Sequence, residues 1–219
     1  MEIFDQSVVG VFVQVQQKVA VVTLASALLR ENHNATCDDI DVLLGAYNLK
    51  DEEERSREQF EVRRFEVHPK YRPGEYSFDI AVLFFAKTPT QNMEIRRCIL
   101  PPERPSSQSA CHIASWGYEK EDRSLNDRKL IKTIGVKIST GHPMASGERG
   151  HLLYASRTQG GSLVELQDVG APLLCRDMIF YNVFAGIVHI PASPHEYHEI
   201  AITSVYDNGD WLRHTILLG

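Results

Sequence analysis

The sequence predicts an all-β protein, a sandwich or a pair of barrels, closed by one C-terminal helix. Three observations predict it. Apolar residues recur in short runs of strand length, and polar or proline-bearing turns separate those runs at regular intervals. Helical periodicity shows only where the chain ends.

Taken in order, Val8 to Gln16 alternates in part, with Val11, Val13 and Val15 on one face. Lys18 to Leu29 is a second apolar block, and Asp41 to Leu44 opens another strand. Asp51-Glu52-Glu53-Glu54-Arg55 then reads as a charged, solvated turn. Phe60 to Val67 alternates around charges until His68-Pro69 stops it. Phe78 to Phe85 is nearly continuous in apolar character, as a strand covered on both faces should be. Pro101-Pro102 with Pro105, Ser106 and Ser107 marks a connector between two halves.

Beyond the connector, strands are expected around His112 to Trp116, Leu130 to Ile138, Gly170 to Cys175, Ile179 to His189 and Ile200 to Val205. Asp207 to Leu218 is the best helix, with Asp207 as its N-cap and Trp211, Leu212 and Ile216 on one apolar face. The expected organisation is one domain over 1–219, with halves at 1–100 and 101–206 and the helix at 207–219.

At 219 residues the chain can bury a large core, and 43% hydrophobic with 24% charged residues is ordinary for a soluble globular protein. A net charge of -6 gives no electrostatic reason to expect nucleic acid as a partner. No apolar run approaches the roughly 20 residues that span a bilayer, so no membrane partner is expected. Cys37, Cys98, Cys111 and Cys175 match no zinc spacing. Asn34-Ala35-Thr36 is a glycosylation sequon, which matters only on a secretory route. Met1 is followed directly by Glu2 and Asp5 with no basic stretch or long apolar core, so no signal peptide is read there.

Seven local patterns, in order, carry a resemblance to a known family. They are Val42-Leu43-Leu44-Gly45, Val67-His68-Pro69-Lys70-Tyr71, Phe78-Asp79-Ile80-Ala81-Val82-Leu83, Cys98-Ile99-Leu100-Pro101, Ser115-Trp116-Gly117, Gln167 to Cys175, and Asp210-Trp211-Leu212-Arg213. The chain thereby resembles the trypsin-like serine proteases from about residue 8 to its end. The resemblance implies two six-stranded antiparallel β-barrels with a C-terminal α-helix. It also implies a bridge between Cys111 and Cys175. Cys98 is left to pair with Cys37 or with another chain.

The same resemblance places Ser26 at the position of the family's histidine base, Asp79 at its aspartate and Val169 at its serine nucleophile. A hydroxyl is no base near neutral pH, and valine has no lone pair with which to attack a carbonyl. Gln167 falls where a glycine shapes the oxyanion hole. Leu163 falls at the base of the specificity pocket and Ile200 on its wall. His189-Ile190-Pro191 stands where the family's strand pairs with substrate, and its proline lacks a donor. Asp168, Ser162 and the pair His195 and His198 are further polar candidates.

The expectation is therefore a protein that is not an enzyme. It is a pseudoprotease that binds a protein partner, either an active protease or its substrate, in an extracellular proteolytic or immune cascade. No cofactor and no metal are expected, since Ala46 stands where the family's calcium loop has a carboxylate. Two alternatives are an intracellular adaptor on the same fold and a hydrolase with relocated catalytic residues near His189. The candidate surfaces are Asp51 to Glu54, Glu119 to Arg128, and Pro191 to Glu199.

Overall fold

A computed structural model describes residues 8–30, 33–89, 95–116, 131–139, 151–158, 170–176, 183–189 and 199–219. Val11–Val15 (β1) and Lys18–Thr23 (β2) form a hairpin in which Val15 faces Lys18. Gln16 takes φ 54° in its two-residue loop, the left-handed geometry that such a tight reversal needs. The apolar block after Lys18 does not run on as one strand. It breaks into a single helical turn, Ala25–Leu28 (α1), and a small ladder of Leu29–Arg30 (β3) with His33–Asn34 (β4).

Asp41–Leu44 (β5), Glu58–Val67 (β6) and Ala81–Phe85 (β7) complete the first half. β5 pairs with β6, β6 with β7 and β7 with β2, all antiparallel. β7 is shorter than the apolar run that predicts it. Residues before it are turned inward, with the Asp79 N–H donating to Tyr76 O and the Ile80 N–H to Phe78 O.

Cys98–Ile99 (β8) lies at the junction, and the second half contains Ala110–Ser115 (β9), Lys132–Ser139 (β10), Leu152–Arg157 (β11), Pro172–Arg176 (β12), Val183–Val188 (β13) and Glu199–Ser204 (β14). Going round from β9, the strands β10, β11, β14, β13 and β12 pair in turn, and β12 returns to β9. This is a closed six-stranded antiparallel barrel, and closure leaves no sheet edge unpaired. β8 runs parallel to both β1 and β13, joining the first-half strands to the ring. The fold is thus mostly β with one terminal helix.

Inside the ring, Ile113, Leu153, Leu173, Ala185 and Ile202 are fully buried together. A second cluster, including Val13, Val22, Ile80, Phe184 and Ile187, lies beneath the C-terminal helix Gly209–Leu218 (α2). α2 presents Leu212 and Ile216 to it, with Trp211 packed at the margin. Phe12, Leu28, Val42, Val62 and Phe85 form the core of the first half. Each large side chain removed from water in these clusters stabilises the fold by roughly 1.5–3 kcal/mol.

The start of α2 differs from expectation. Asn208, not Asp207, is the N-cap, and its Nδ2 donates to Ser77 O and Ser204 O. Asp207 instead accepts from Arg104 at 2.8 Å, while the same guanidinium donates to Leu152 O at 2.9 Å. The connector is thereby pinned to both β11 and the helix entrance.

Cys111 and Cys175 face each other across β9 and β12 and are bridged. Cys37 and Cys98 are both free thiols, so the Cys37–Cys98 pairing is not made. Burial pushes the Cys98 thiol up to about 11.

Between β5 and β6 the chain organises itself around two side chains. Glu54 accepts the N–H groups of Tyr47 and Asn48, and the Arg57 guanidinium donates to Leu49 O and Asp51 O. Gly45 enters this loop at φ 72°, where a Cβ would lie 1.9 Å from Ser56 O. Tyr47 O in turn accepts from Trp116 Nε1 and from the Ile131 N–H, tying the loop to the second half.

Candidate functional site

Asp79 sits just ahead of β7, turned away from solvent and only 2% exposed. A carboxylate so placed must find donors. The first turn of α1 supplies one, since the Ser26 N–H donates to Asp79 Oδ1 at 2.7 Å. Burial is the largest influence on Asp79 and holds its carboxyl above the ordinary aspartate range, against hydrogen bonds from Ser26 and Ala25. Ser26 therefore adjoins the carboxylate, as the resemblance requires.

On the other side of Asp79 stands an imidazole from the second half. His189 directly follows β13, and its Nδ1 lies 3.6 Å from Asp79 Oδ2. Its Nε2 lies 2.6 Å from the Thr203 hydroxyl on β14. That hydroxyl donates to Tyr76 O at 2.5 Å. The Tyr76 ring stacks on the imidazole with centroids 4.3 Å apart. His189 is 5% exposed and Thr203 fully buried, whereas Tyr76 stays 36% exposed at the surface above them.

The proton inventory follows from these distances. Thr203 has one hydroxyl proton, and Tyr76 O receives it. Its oxygen must then accept from His189, which puts the imidazole proton on Nε2. Nδ1 is left as a bare lone pair facing Asp79. Burial lowers His189 to about 3, so the ring is neutral at physiological pH. The contact with Asp79 is thus a polar juxtaposition of a raised acid and a depressed base, and no ion pair is formed.

A second buried imidazole lies nearby. His68 stacks on Phe78 and meets the Trp211 ring edge-on, while Phe78 also contacts His151. Burial, followed by Lys70 and His151, lowers His68 to about 4. Its Nδ1 accepts the Lys70 N–H, so it too holds a turn in place.

The remaining sequence-derived positions divide in two. Ile200 is buried in the ring core opposite Ala155. Val169, Gln167, Leu163, Asp168 and Ser162 lie outside the described residues, as do His195, His198 and the surfaces 119–128 and 191–198. Gly170, next to Val169, has φ 84°, and a Cβ there would lie 2.3 Å from Val9 O. Asn34 is exposed in β4, open to modification. Among the described residues no group of three His, Cys, Asp or Glu side chains is placed to hold a metal ion. No helix among them is long and apolar enough to cross a membrane.

Tyr76 and Thr203 went unnoticed in the sequence. A signal exists only for Tyr76, an aromatic three residues before the aspartate; an isolated threonine in an apolar strand carries none.

Comparison with known proteins supplies the lineage. The trypsin family model matches residues 11–212. Human granzyme H is 28% identical over 182 residues, covering 76% of this chain and 71% of the relative. Mouse granzyme C is 27% identical over 156 residues, covering 67% and 59%. Mouse cathepsin G is 26% identical over 191 residues, covering 81% and 69%.

These matches correct one expectation. The chain was expected not to be an enzyme, yet its relatives are serine proteases, and nothing among the described residues marks inactivity. The physical reason for the misreading is local. Ser26 stands at the position of the base, but Asp79 keeps an imidazole neighbour in His189, whose other ring nitrogen meets the Thr203 hydroxyl. With its closed barrel, its Cys111–Cys175 bridge and a family match over nearly its whole length, the chain belongs to the trypsin family of serine proteases.

Proposed function

We propose that this trypsin-family chain works outside the cell by recognising a protein partner in a proteolytic or immune cascade, the partner being an active protease or its substrate. One observation carries the reading. Tyr76 stacks on the imidazole of the Asp79–His189 pair yet stays 36% exposed, so a partner approaching that surface meets an aromatic face held in place by the ring beneath it. Pinned aromatic side chains of this kind dominate protein recognition, because little rotamer entropy is lost when they are covered. The disulfide supports an oxidising compartment. The exposed sequon at Asn34 points the same way, and a glycan found there by intact mass before and after deglycosylation supports secretion.

The test is direct binding of purified granzyme- or cathepsin-like proteases, and of their protein substrates, to the immobilised chain by surface plasmon resonance. Saturable binding that Tyr76→Ala weakens about tenfold or more is expected. Absence of binding to every member of that panel sinks the proposal.

A second reading is favoured by a different observation, the 2.6 Å contact between His189 Nε2 and the Thr203 hydroxyl, with Asp79 behind the ring. This is an acid–imidazole–hydroxyl series, the ingredients of a relocated hydrolase. To act, the imidazole proton must first pass from Nε2 to Nδ1 on the Asp79 side, so that the bared Nε2 can take the Thr203 proton now given to Tyr76 O, and Tyr76 must move aside. Peptide hydrolysis that survives purification and vanishes in His189→Ala supports it; hydrolysis unchanged in that variant rules it out.

A further inference from the structure

Every strand of the large sheet except β5 has a neighbour on both sides. β5 pairs with β6 and, among the described residues, with no other strand. Alternate residues of an antiparallel strand turn their N–H and C=O groups away from the partner, so half of the β5 backbone groups face outward. Among the described residues no turn or loop backbone takes them up. Such an edge is a template for a further strand, and proteins blunt theirs with prolines, bulges or charge. β5 contains no proline, and its four residues pair with β6 in unbroken register.

Its charge sits in an unfavourable place. Asp41 lies directly opposite Glu61, so two carboxylates share one face of the ladder and repel. Both are exposed, and among the described residues neither has an ion-pair partner. Two positions along the same face Leu43 stands opposite Gln59 and is 37% exposed. Val42 and Leu44 point the other way, into the core of the first half. The surroundings have the same sign as Asp41. Residues 38–61 hold nine acidic and three basic side chains, a balance equal to the -6 of the entire chain.

We propose that β5 accepts an extended segment of a partner protein as an added strand. That segment places a lysine or arginine beside Asp41 and Glu61, and an apolar residue two positions away beside Leu43. Main-chain hydrogen bonds to the open edge supply affinity. The cation relieves the carboxylate pair, and the apolar residue covers the leucine, so these two side chains select the segment. A second copy of this chain fits worse, because joining two β5 edges brings two acidic segments together. The inference goes beyond the Tyr76 surface and does not depend on it.

The experiment titrates acetyl-Thr-Lys-Val-Leu-Val-Thr-amide into the nitrogen-15-labelled full chain. Lysine and leucine share one face of this peptide when it is extended. Saturable shifts at β5 and its flanks are expected, together with slowed exchange of the β5 amides that point away from β6. N-methylation of the adjacent valine and leucine should abolish binding, since one of those two amides must face β5 in any register. Glutamate in place of the peptide lysine should weaken binding about fivefold, and Asp41→Lys should reverse that preference. Glu103→Lys, the same charge change in the exposed connector, should leave affinity unaltered. Melting transitions check that each variant folds. The proposal is overturned by absence of shifts at β5, or by equal binding of the N-methylated or glutamate peptide. It is also overturned if the outward β5 amides already exchange slowly in the monomeric free chain, for another part of the chain then holds the edge. A dimer in sedimentation that protects those amides overturns it in favour of a second copy.

Discussion

His189 joins Asp79 from the first half to Thr203 from the second, at 3.6 Å through Nδ1 and 2.6 Å through Nε2. The resulting tautomer has its proton on Nε2 and no charge at pH 7. Nitrogen-15 shifts of the His189 ring should therefore show a neutral Nε2–H form that persists well below the ordinary histidine pKa of about 6.5. A ring that protonates near that ordinary value, or that carries its proton on Nδ1, would refute the inventory. Removing the ring should cost about 2–4 kcal/mol, because His189→Ala opens a cavity and leaves Asp79 and Thr203 without a neighbour. Urea midpoints of the variant and the parent protein measure it.

Acidification should destabilise the fold, and the sign follows from which state binds more protons. His189 and His68 titrate near 3 and 4 in the folded protein, and His112 is lowered as well. Between those values and the unfolded value of about 6.5, the unfolded chain holds the extra protons, so stability falls as pH falls. Asp79 acts oppositely, since its raised carboxyl takes a proton earlier in the folded state. Three histidines against one aspartate decide the direction. Each fully engaged histidine changes the folding equilibrium about tenfold per pH unit. Chemical denaturation at a series of pH values tests this, and a midpoint that is flat or rises on acidification contradicts it.

The Cys111–Cys175 bridge spans 64 residues of sequence while joining two adjacent strands of the ring. Constraint of the unfolded chain over a loop of that length is worth about 4 kcal/mol in the entropy model. The double variant Cys111→Ala with Cys175→Ala should lose about 2–4 kcal/mol, readable in its guanidinium midpoint. An unchanged midpoint would mean that pairing of β9 with β12 alone carries the closure.

Arg57 occupies the centre of the β5–β6 loop and bonds the carbonyl oxygens of Leu49 and Asp51. Those oxygens already have a cation, so a calcium chelator should leave the melting temperature unchanged. Arg57→Ala, by contrast, should cost about 1–3 kcal/mol and loosen the Trp116–Tyr47 contact that the loop supports. Trp116 fluorescence would then shift to the red. A melting shift on chelation in the parent protein would show that Arg57 does not serve this role.

The strand pattern was legible because burial imposes it. Val42 and Leu44 alternate inward on β5, and the unbroken apolar run of β7 is buried on both faces. β11 was missed because its burial does not alternate, and β8 because two residues leave no period to detect. The site was half legible. Asp79 announces itself in a local motif, but its imidazole neighbour arrives from a residue 110 positions later, a juxtaposition that only the packing of β13 against the first half creates. Asp207 misled for a related reason. It has the chemistry of a cap, yet a guanidinium from the connector claims it, and Asn208 takes the position.

β8 is only two residues long, yet it is hydrogen-bonded to a strand of each half. Cutting that splice would break the backbone ladder between the halves and leave the cluster under α2 and the side-chain ties to couple them. While it holds, backbone hydrogen bonds run without interruption from β5 to the ring, so a breach in one half propagates into the other. Slow amide exchange at Cys98 and Ile99 would therefore report the integrity of the entire molecule.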